Sequence, residues 1–476
     1  MKILGVNKRF VLATGFGALS LILVGCGSDG VAVSDLRVIH ASKDAPPVNV
    51  RVDNKNVITE LDYTESSGYL KVNSGFKAVA VEAIIPGGNL DVITVPSIQL
   101  EPNKRYNILA INETATIKPL VVAESAATPS ATEVAIAVVH AATAAGSVDV
   151  YVTAPGADLN AVSANFNFSY EGVVDAGALP AATYQIRVTG AGSKTAVYDS
   201  GPINLSGFAG QKLLIAALSS TNATEIEASP VKLIAVADTA RLVLLDEATK
   251  IGARVVHLSP DAGAAAAGPV EVFATSTALP GTVELIDAFS YTEQFPGTNA
   301  YANVPKGDYV FDVAPNTNTI GDKVLTSPSL ALTAGIEYTV IAAGNVGGSP
   351  AFSLLATGDN NRAIATQVSI KVAHAAALAG SVDVFVTAAG AFTTAQVESG
   401  AAGAPLLDGF TFSSISDYVT VAPGSYDIRV VPESSGTTAI NVTGFAVTAG
   451  QVATVIARQP DNDGTPADFG LVVLTN

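Results

Sequence analysis

Short runs rich in β-branched residues recur along the chain with apolar and polar positions alternating at a period of two, and each run stops at Gly, Pro, Asn or Asp. Val48-Asn49-Val50-Arg51-Val52 and Val148-Asp149-Val150-Tyr151-Val152 show the pattern plainly. This period puts the valines on one face of a strand and Asn49, Arg51, Asp149 or Tyr151 on the other. Beyond the first 25 residues no long segment carries a 3.6-residue period. Short runs with turn signals between them predict an all-β chain of sandwiches or barrels.

The runs form one pattern that occurs four times, and all four histidines of the chain fall in it. The first strand of each copy ends Val38-Ile39-His40, Val138-Val139-His140, Val255-Val256-His257 and Val372-Ala373-His374. The second strand begins at Val48, Val148, Val270 and Val382, eight residues after the histidine in three copies and thirteen in the third. A later aromatic strand also recurs, with Tyr184-Gln185-Ile186-Arg187-Val188 nearly identical to Tyr426-Asp427-Ile428-Arg429-Val430. The copies alternate. Ser42-Lys43-Asp44-Ala45 matches Ser259-Pro260-Asp261-Ala262, whereas Gly146-Ser147-Val148-Asp149 matches Gly380-Ser381-Val382-Asp383, as duplication of a two-domain unit would give. Four tandem antiparallel β-sandwiches of immunoglobulin-like size are expected over residues 35–123, 134–246, 251–357 and 368–476. Short linkers around Glu124–Glu133 and Gly358–Gln367 suggest an extended rod.

The N-terminus breaks this pattern. Lys2, Lys8 and Arg9 precede an apolar stretch of 15 residues, Phe10–Val24, too short and too interrupted by glycine for a membrane span. Leu23-Val24-Gly25-Cys26 then resembles the lipobox of bacterial lipoproteins, and Cys26 is the chain's single cysteine. The resemblance implies a signal peptide over 1–25, lipidation of Cys26 and a tether over 26–34. Acyl chains contribute about 0.8 kcal/mol per buried methylene, so two or three hold a protein on a bilayer. Gly27 after the cysteine, where an Asp would retain the protein at the inner membrane, points by the same resemblance to the outer membrane, on its periplasmic or its cell-surface side.

Composition narrows the picture. With 49% hydrophobic and 14% charged residues, the bulk of the chain has enough apolar surface to fold. Removing the three N-terminal cations from 25 leaves 22 basic residues against 42 acidic, a surface that repels phosphate backbones and excludes nucleic acid as a partner. One cysteine forbids an intrachain disulfide, and the absence of Trp removes the commonest stacking platform for sugars.

The sequence V-x-H-A-S-x-D-A, followed by V-D-V-Y-V and P-x-G-x-Y, resembles the bacterial domain-of-unknown-function family 4397, in four copies over nearly the whole chain after Cys26. Copies two and four lack the Ser-x-Asp-Ala turn, and copy one carries Phe76 in place of the tyrosine. The resemblance implies a β-rich secreted or surface domain and no particular activity.

Candidate chemistry is sparse. Zinc needs three or four ligands at one point, and His40, His140, His257 and His374 lie about a domain apart with no partner cysteine. Strand parity points each histidine inward at the start of a loop, where it is expected to bond loop backbone or a polar group such as Asp149 or Asp383. His140 with Asp149 could suggest a hydrolytic triad, but G-x-S-x-G is absent. Ser74-Gly75-Phe76-Lys77 matches S-x-x-K only in copy one and reads as chance. Asp461-Asn462-Asp463-Gly464 begins like a calcium loop without the closing Glu, and Asp44 and Asp261 read as ordinary acidic turns. No phosphate loop, metal site or cofactor is expected. The reading is therefore a non-enzymatic, membrane-anchored adhesive or scaffold array with a protein or polysaccharide partner. The alternative is a carbohydrate- or ligand-binding accessory lipoprotein, using Tyr151, Phe273 and Phe385 as outward-facing aromatics at equivalent positions where copy one has Arg51. A hydrolase ranks third.

Overall fold

The computed structural model describes residues 32–475, apart from 126, 222–225, 264–267, 318 and 462–467. Cys26, the signal segment and most of the tether lie outside the described residues, as do Asn462, Asp463 and Gly464.

The first sandwich is built from β1 (Val33–His40), β2 (Val48–Val52), β3 (Lys55–Leu61), β4 (Leu70–Asn73), β5 (Gly75–Ala83), β6 (Leu90–Leu100), β7 (Arg105–Ile111) and β8 (Lys118–Ala123). One sheet has the order β4-β1-β7-β8 and the other β3-β2-β5-β6. Between them Leu36, Val38, Val48, Val50, Val81 and Ile108 form the core. Strands Glu133–Leu244, Ile251–Asp359 and Val368–Thr475 repeat this plan as three further two-sheet sandwiches, with extra edge strands in the second and third. A short helix, Thr394–Glu398, is opened by a Thr393/Gln396 capping box. Among the described residues no helix is long and apolar enough to cross a membrane.

Two features depart from the sequence expectation. Among the described residues the named strands pair antiparallel except for one pair in every sandwich. There the histidine strand runs parallel to a late strand: β1 with β7, Glu133–His140 with Lys212–Ser219, Ile251–Leu258 with Glu337–Ala343, and Val368–His374 with Val452–Arg458. The intervening strands cross to the other sheet and back, so the chain returns in the same direction, which a tight hairpin could not achieve.

The second departure concerns the rod. The histidine strands are apolar on both faces. In β1, Leu36 and Val38 point into the first sandwich, while Ile39 points out and joins Leu109, Ile111 and Val122 in a buried cluster with Val139, Leu214, Leu218, Ile234 and Val236 of the second. Val256, Leu258 and Ile341 of the third sandwich meet Ala373, Ile456 and Leu474 of the fourth in the same way. A strand buried on both faces has to be apolar on both. The sandwiches are thus stacked back to back in two pairs. The pairs also touch. The Arg362 guanidinium, after the third sandwich, donates to the carbonyl oxygens of Ala45 (2.8 Å) and Lys43 (3.3 Å) and to the Asp62 carboxylate of the first. Gly335, at φ +78°, leaves room for Leu245, whose Cδ1 would lie 2.4 Å from any added Cβ.

Candidate functional site

In each sandwich the histidine closes the loop that leaves its own strand. The Nδ1 atoms of His40, His140, His257 and His374 accept the backbone N–H two residues on, at 3.2–3.5 Å. The Nε2–H groups of His40, His140 and His374 donate to the carbonyl oxygens of Pro46 (3.1 Å), Gly146 (2.9 Å) and Gly380 (2.8 Å), six residues on. One nitrogen accepts and the other donates, so the neutral imidazole fits and the imidazolium does not. Burial pushes the pKa of His40 and of His257 down to about 4 and lowers that of His374. Asp149 and Asp383 do not serve the histidines. Asp149 accepts from Asn167 Nδ2 (2.5 Å) and Gly192 N (2.8 Å), and Asp383 accepts from Gly409 N (2.9 Å).

An aromatic residue completes each bracket. Tyr63, Tyr170, Tyr291 and Phe412 stand edge-on to the imidazoles, with centroids 5.9–6.3 Å apart. The residue after each aromatic, Thr64, Glu171, Thr292 or Ser413, has φ between 66° and 68° and donates its N–H to the histidine carbonyl. A left-handed backbone at four equivalent non-glycine residues is uncommon, and here a paired hydrogen bond holds it. The aromatics then reach across the pairs: the Tyr63 hydroxyl donates to Ser219 O, Tyr170 to Asn112 Oδ1, and Tyr291 to Gln459 O at 2.5 Å. Sequence reading missed this element, although Asp62-Tyr63-Thr64-Glu65 and Ser290-Tyr291-Thr292-Glu293 carry its signal.

The acidic turns are also consumed internally. Asp44 accepts Thr114 N (2.8 Å), and its counterpart Asp261 accepts Val346 N (3.0 Å). The second and fourth sandwiches reverse the arrangement, with Ser219 Oγ and Gln459 Oε1 accepting Ala144 N (3.2 Å) and Leu378 N (3.1 Å). Ser74 and Lys77 face separate partners, Ser34 Oγ at 2.8 Å and Asp53 at 2.8 Å, which is no catalytic pair.

The outward-facing aromatics need correction. Tyr151, Phe273 and Phe385 are 2%, 9% and 7% exposed. Lys194 Nζ lies 4.7 Å from the Tyr151 ring centre, Phe385 packs under Val397 of the short helix, and Phe273 sits between Glu284 and Asp312 in the sheet register. Strand parity places them correctly on the outer face, but loops and neighbouring side chains roof that face. One acidic group arises only from folding: ligand oxygens of Glu271, Glu284 and Asp287 lie within 4.8 Å of one another, with Glu271 buried and the other two exposed.

Charged clusters lock each pair. In the first, Glu124 holds Arg105 (2.8 Å), Lys212 (3.2 Å) and the Tyr69 hydroxyl (3.2 Å), while Arg37 donates to Asn107 Oδ1 and Ala237 O, both at 2.7 Å. In the second, Asp359 holds Lys371 (3.1 Å), Arg254 (3.5 Å) and the Tyr301 hydroxyl (2.9 Å).

Fold and brackets together define a tandem β-sandwich protein whose recurring polar residues brace loops and fasten neighbours. The family model described as Domain of unknown function (DUF4397) matches residues 34–151 and 253–385, and the chain belongs to that family. Each match covers one odd-numbered sandwich and the first two strands of the next, ending at the equivalent residues Tyr151 and Phe385, so the sequence repeats in the same two-sandwich frame as the packing. No curated protein matches the chain. Solved structures with some likeness include the Bacillus anthracis TIE protein, at 12% identity over 90% of this chain and 67% of that one, with a TM-score of 0.16. Others are candidate cell adhesion proteins from Bacteroides ovatus ATCC 8483 (11% identity, TM-score 0.14) and Bacteroides fragilis NCTC 9343 (9%, 0.13), each covering 48% of this chain and 97% of its own.

Proposed function

We propose that the chain is a non-enzymatic surface lipoprotein, held on the outer membrane through Cys26, that acts as an adhesive or scaffolding array toward a protein or polysaccharide. The observation that carries this reading is where the recurring polar groups go. The four imidazoles, the turn aspartates, Glu124 and Asp359 bond within the fold, leaving repeated, braced surfaces as what the copies have in common. Several weak sites on one packed body bind more tightly than one alone. The ligand-binding alternative loses its main support with the burial of Tyr151, Phe273 and Phe385.

The test uses cells lacking the gene, complemented with wild type or Cys26→Ala. Retention under flow is measured on polysaccharide-coated and protein-coated surfaces, and the chain is assayed in membrane and soluble fractions. Deletion should lower retention severalfold. Cys26→Ala should move the chain to the soluble fraction and fail to restore retention. Unchanged retention on deletion removes the adhesive reading, and a Cys26→Ala chain that stays with the membrane removes the anchor.

A further inference from the structure

We propose that the third sandwich binds one neutral, medium-chain hydrocarbon group in a cavity between its two sheets. The cavity measures about 240 Å³, against about 50 Å³ in the core of the second sandwich and 30 Å³ in that of the fourth. The difference traces first to one residue and then to its neighbour. The position four before the bracket histidine is Leu36, Ile136 and Ile370 in the other sandwiches, but Ala253 in the third. Its neighbour across the edge of the sheet is Leu70 in the first, Val419 in the fourth and, at a bulge, Gly177 in the second; in the third it is Ala302. Ala253 and Ala302 pair on the cavity wall, so the void lies where the first and fourth cores place two branched side chains and the second places one.

The lining sets the class of ligand. Val255, Val272, Phe311, Val313 and Val340 form the walls, and no Lys, Arg, Asp or Glu is among the lining residues. The hydroxyls of two lining tyrosines are already engaged: Tyr309 donates to Pro305 O (2.7 Å) and Tyr338 accepts Thr333 N–H (3.2 Å). The His257 imidazole also lines the cavity, but its Nδ1 accepts Ser259 N–H and burial keeps the ring neutral, so a charged group inside would meet no counter-charge. Ala302, Val304 and Leu285 are only half buried, and Asn303 between the first two is exposed. They mark the seam between the edge strands Thr282–Phe289 and Ala302–Val304 as the way in, with Asn303 placed to meet a polar end of the ligand. In proportion to an apolar cavity of about 150 Å³ that takes benzene, this one takes roughly ten carbon atoms. The inference stands apart from the adhesive reading.

The whole chain, titrated calorimetrically with 1-octanol, should show saturable binding of one molecule per chain. Ala253→Ile, which restores the residue of the second and fourth sandwiches, should weaken binding at least tenfold while the melting temperature of the free chain holds or rises. Ala302→Val, on the edge strand, should do the same independently of any disturbance at Ala253. Octanoate at neutral pH should bind at least tenfold more weakly than 1-octanol. Absence of saturable binding to wild type, binding that survives both substitutions, or octanoate binding as tightly as the alcohol would overturn the proposal.

Discussion

The two back-to-back junctions use the same strands and similar side chains, yet they admit water differently. At the first, Glu124 is 12% exposed and its cations Arg105 and Lys212 are 26% and 28% exposed. At the second, Asp359 is fully buried, with Arg254 at 2% and Lys371 at 4%. Tyrosine faces cover the cations in both: Arg37 and Arg105 lie 4.5 and 3.7 Å from the Tyr69 ring centre, Arg254 lies 4.5 Å from Tyr301, and Lys371 lies 4.6 Å from Tyr418. An acid at the close of an odd-numbered sandwich catching a lysine of the next is one solution reached at two levels of dryness, and the drier version depends more on every member being present.

Removing the buried acid tests this most severely. Asp359→Ala removes the carboxylate that Arg254 and Lys371 share and should destabilise the second pair by about 3–5 kcal/mol. Hydrogen exchange, read sandwich by sandwich, should show protection lost in the third and fourth and kept in the first. A change under 1 kcal/mol would mean the second junction is no drier than the first. Acid should act on both pairs, through His40 in the first and through His257 and His374 in the second, whose pKa values burial lowers. His40 and His257 have folded pKa values of about 4, below the ordinary 6.5. Their contribution is present above pH 6.5 and falls away as pH drops toward 4, by about 3 kcal/mol each. Urea midpoints measured from pH 7 to 4 should track this, and His40→Gln should flatten the fall in the first pair only. Glu124→Ala, at the wetter junction, should cost about 1–2 kcal/mol, with a salt dependence that the second junction lacks. The smallest effect is expected from Tyr170→Phe. It removes the hydroxyl bond to Asn112 and makes the first pair resemble the second, which has Phe412 there, at about 0.5–1 kcal/mol in thermal unfolding.

How far the chain can be read from its sequence follows from what each residue touches. The period-two valines in Val48–Val52 see one core and one outer face, so strand, parity and sandwich were legible there. In Ala137-Val138-Val139 and Val255-Val256 the period disappears, because a second sandwich takes the place of water on the outer face. That unbroken apolar run was the visible sign against a rod. The histidines were legible as loop braces because a lone inward imidazole has few uses other than backbone bonding. The aromatic partners and their left-handed neighbours were harder to find, since Tyr63 lies in a turn far along the chain from His40 and only the repeated Tyr-Thr-Glu links copies one and three. Burial of Tyr151 and Phe385 was not legible at all, because what covers them comes from distant loops and a short helix whose placement no local pattern records.

The hold of Arg362 on the first sandwich has a mechanical consequence. Chain order runs from the first sandwich through the second and third before reaching the fourth, yet the guanidinium fastens the segment leading into the fourth directly to Ala45 and Asp62. If the chain is held at its N-terminus, as proposed above, tension applied at its far end travels first along this shortcut. The middle sandwiches feel the pull only once that clasp has opened.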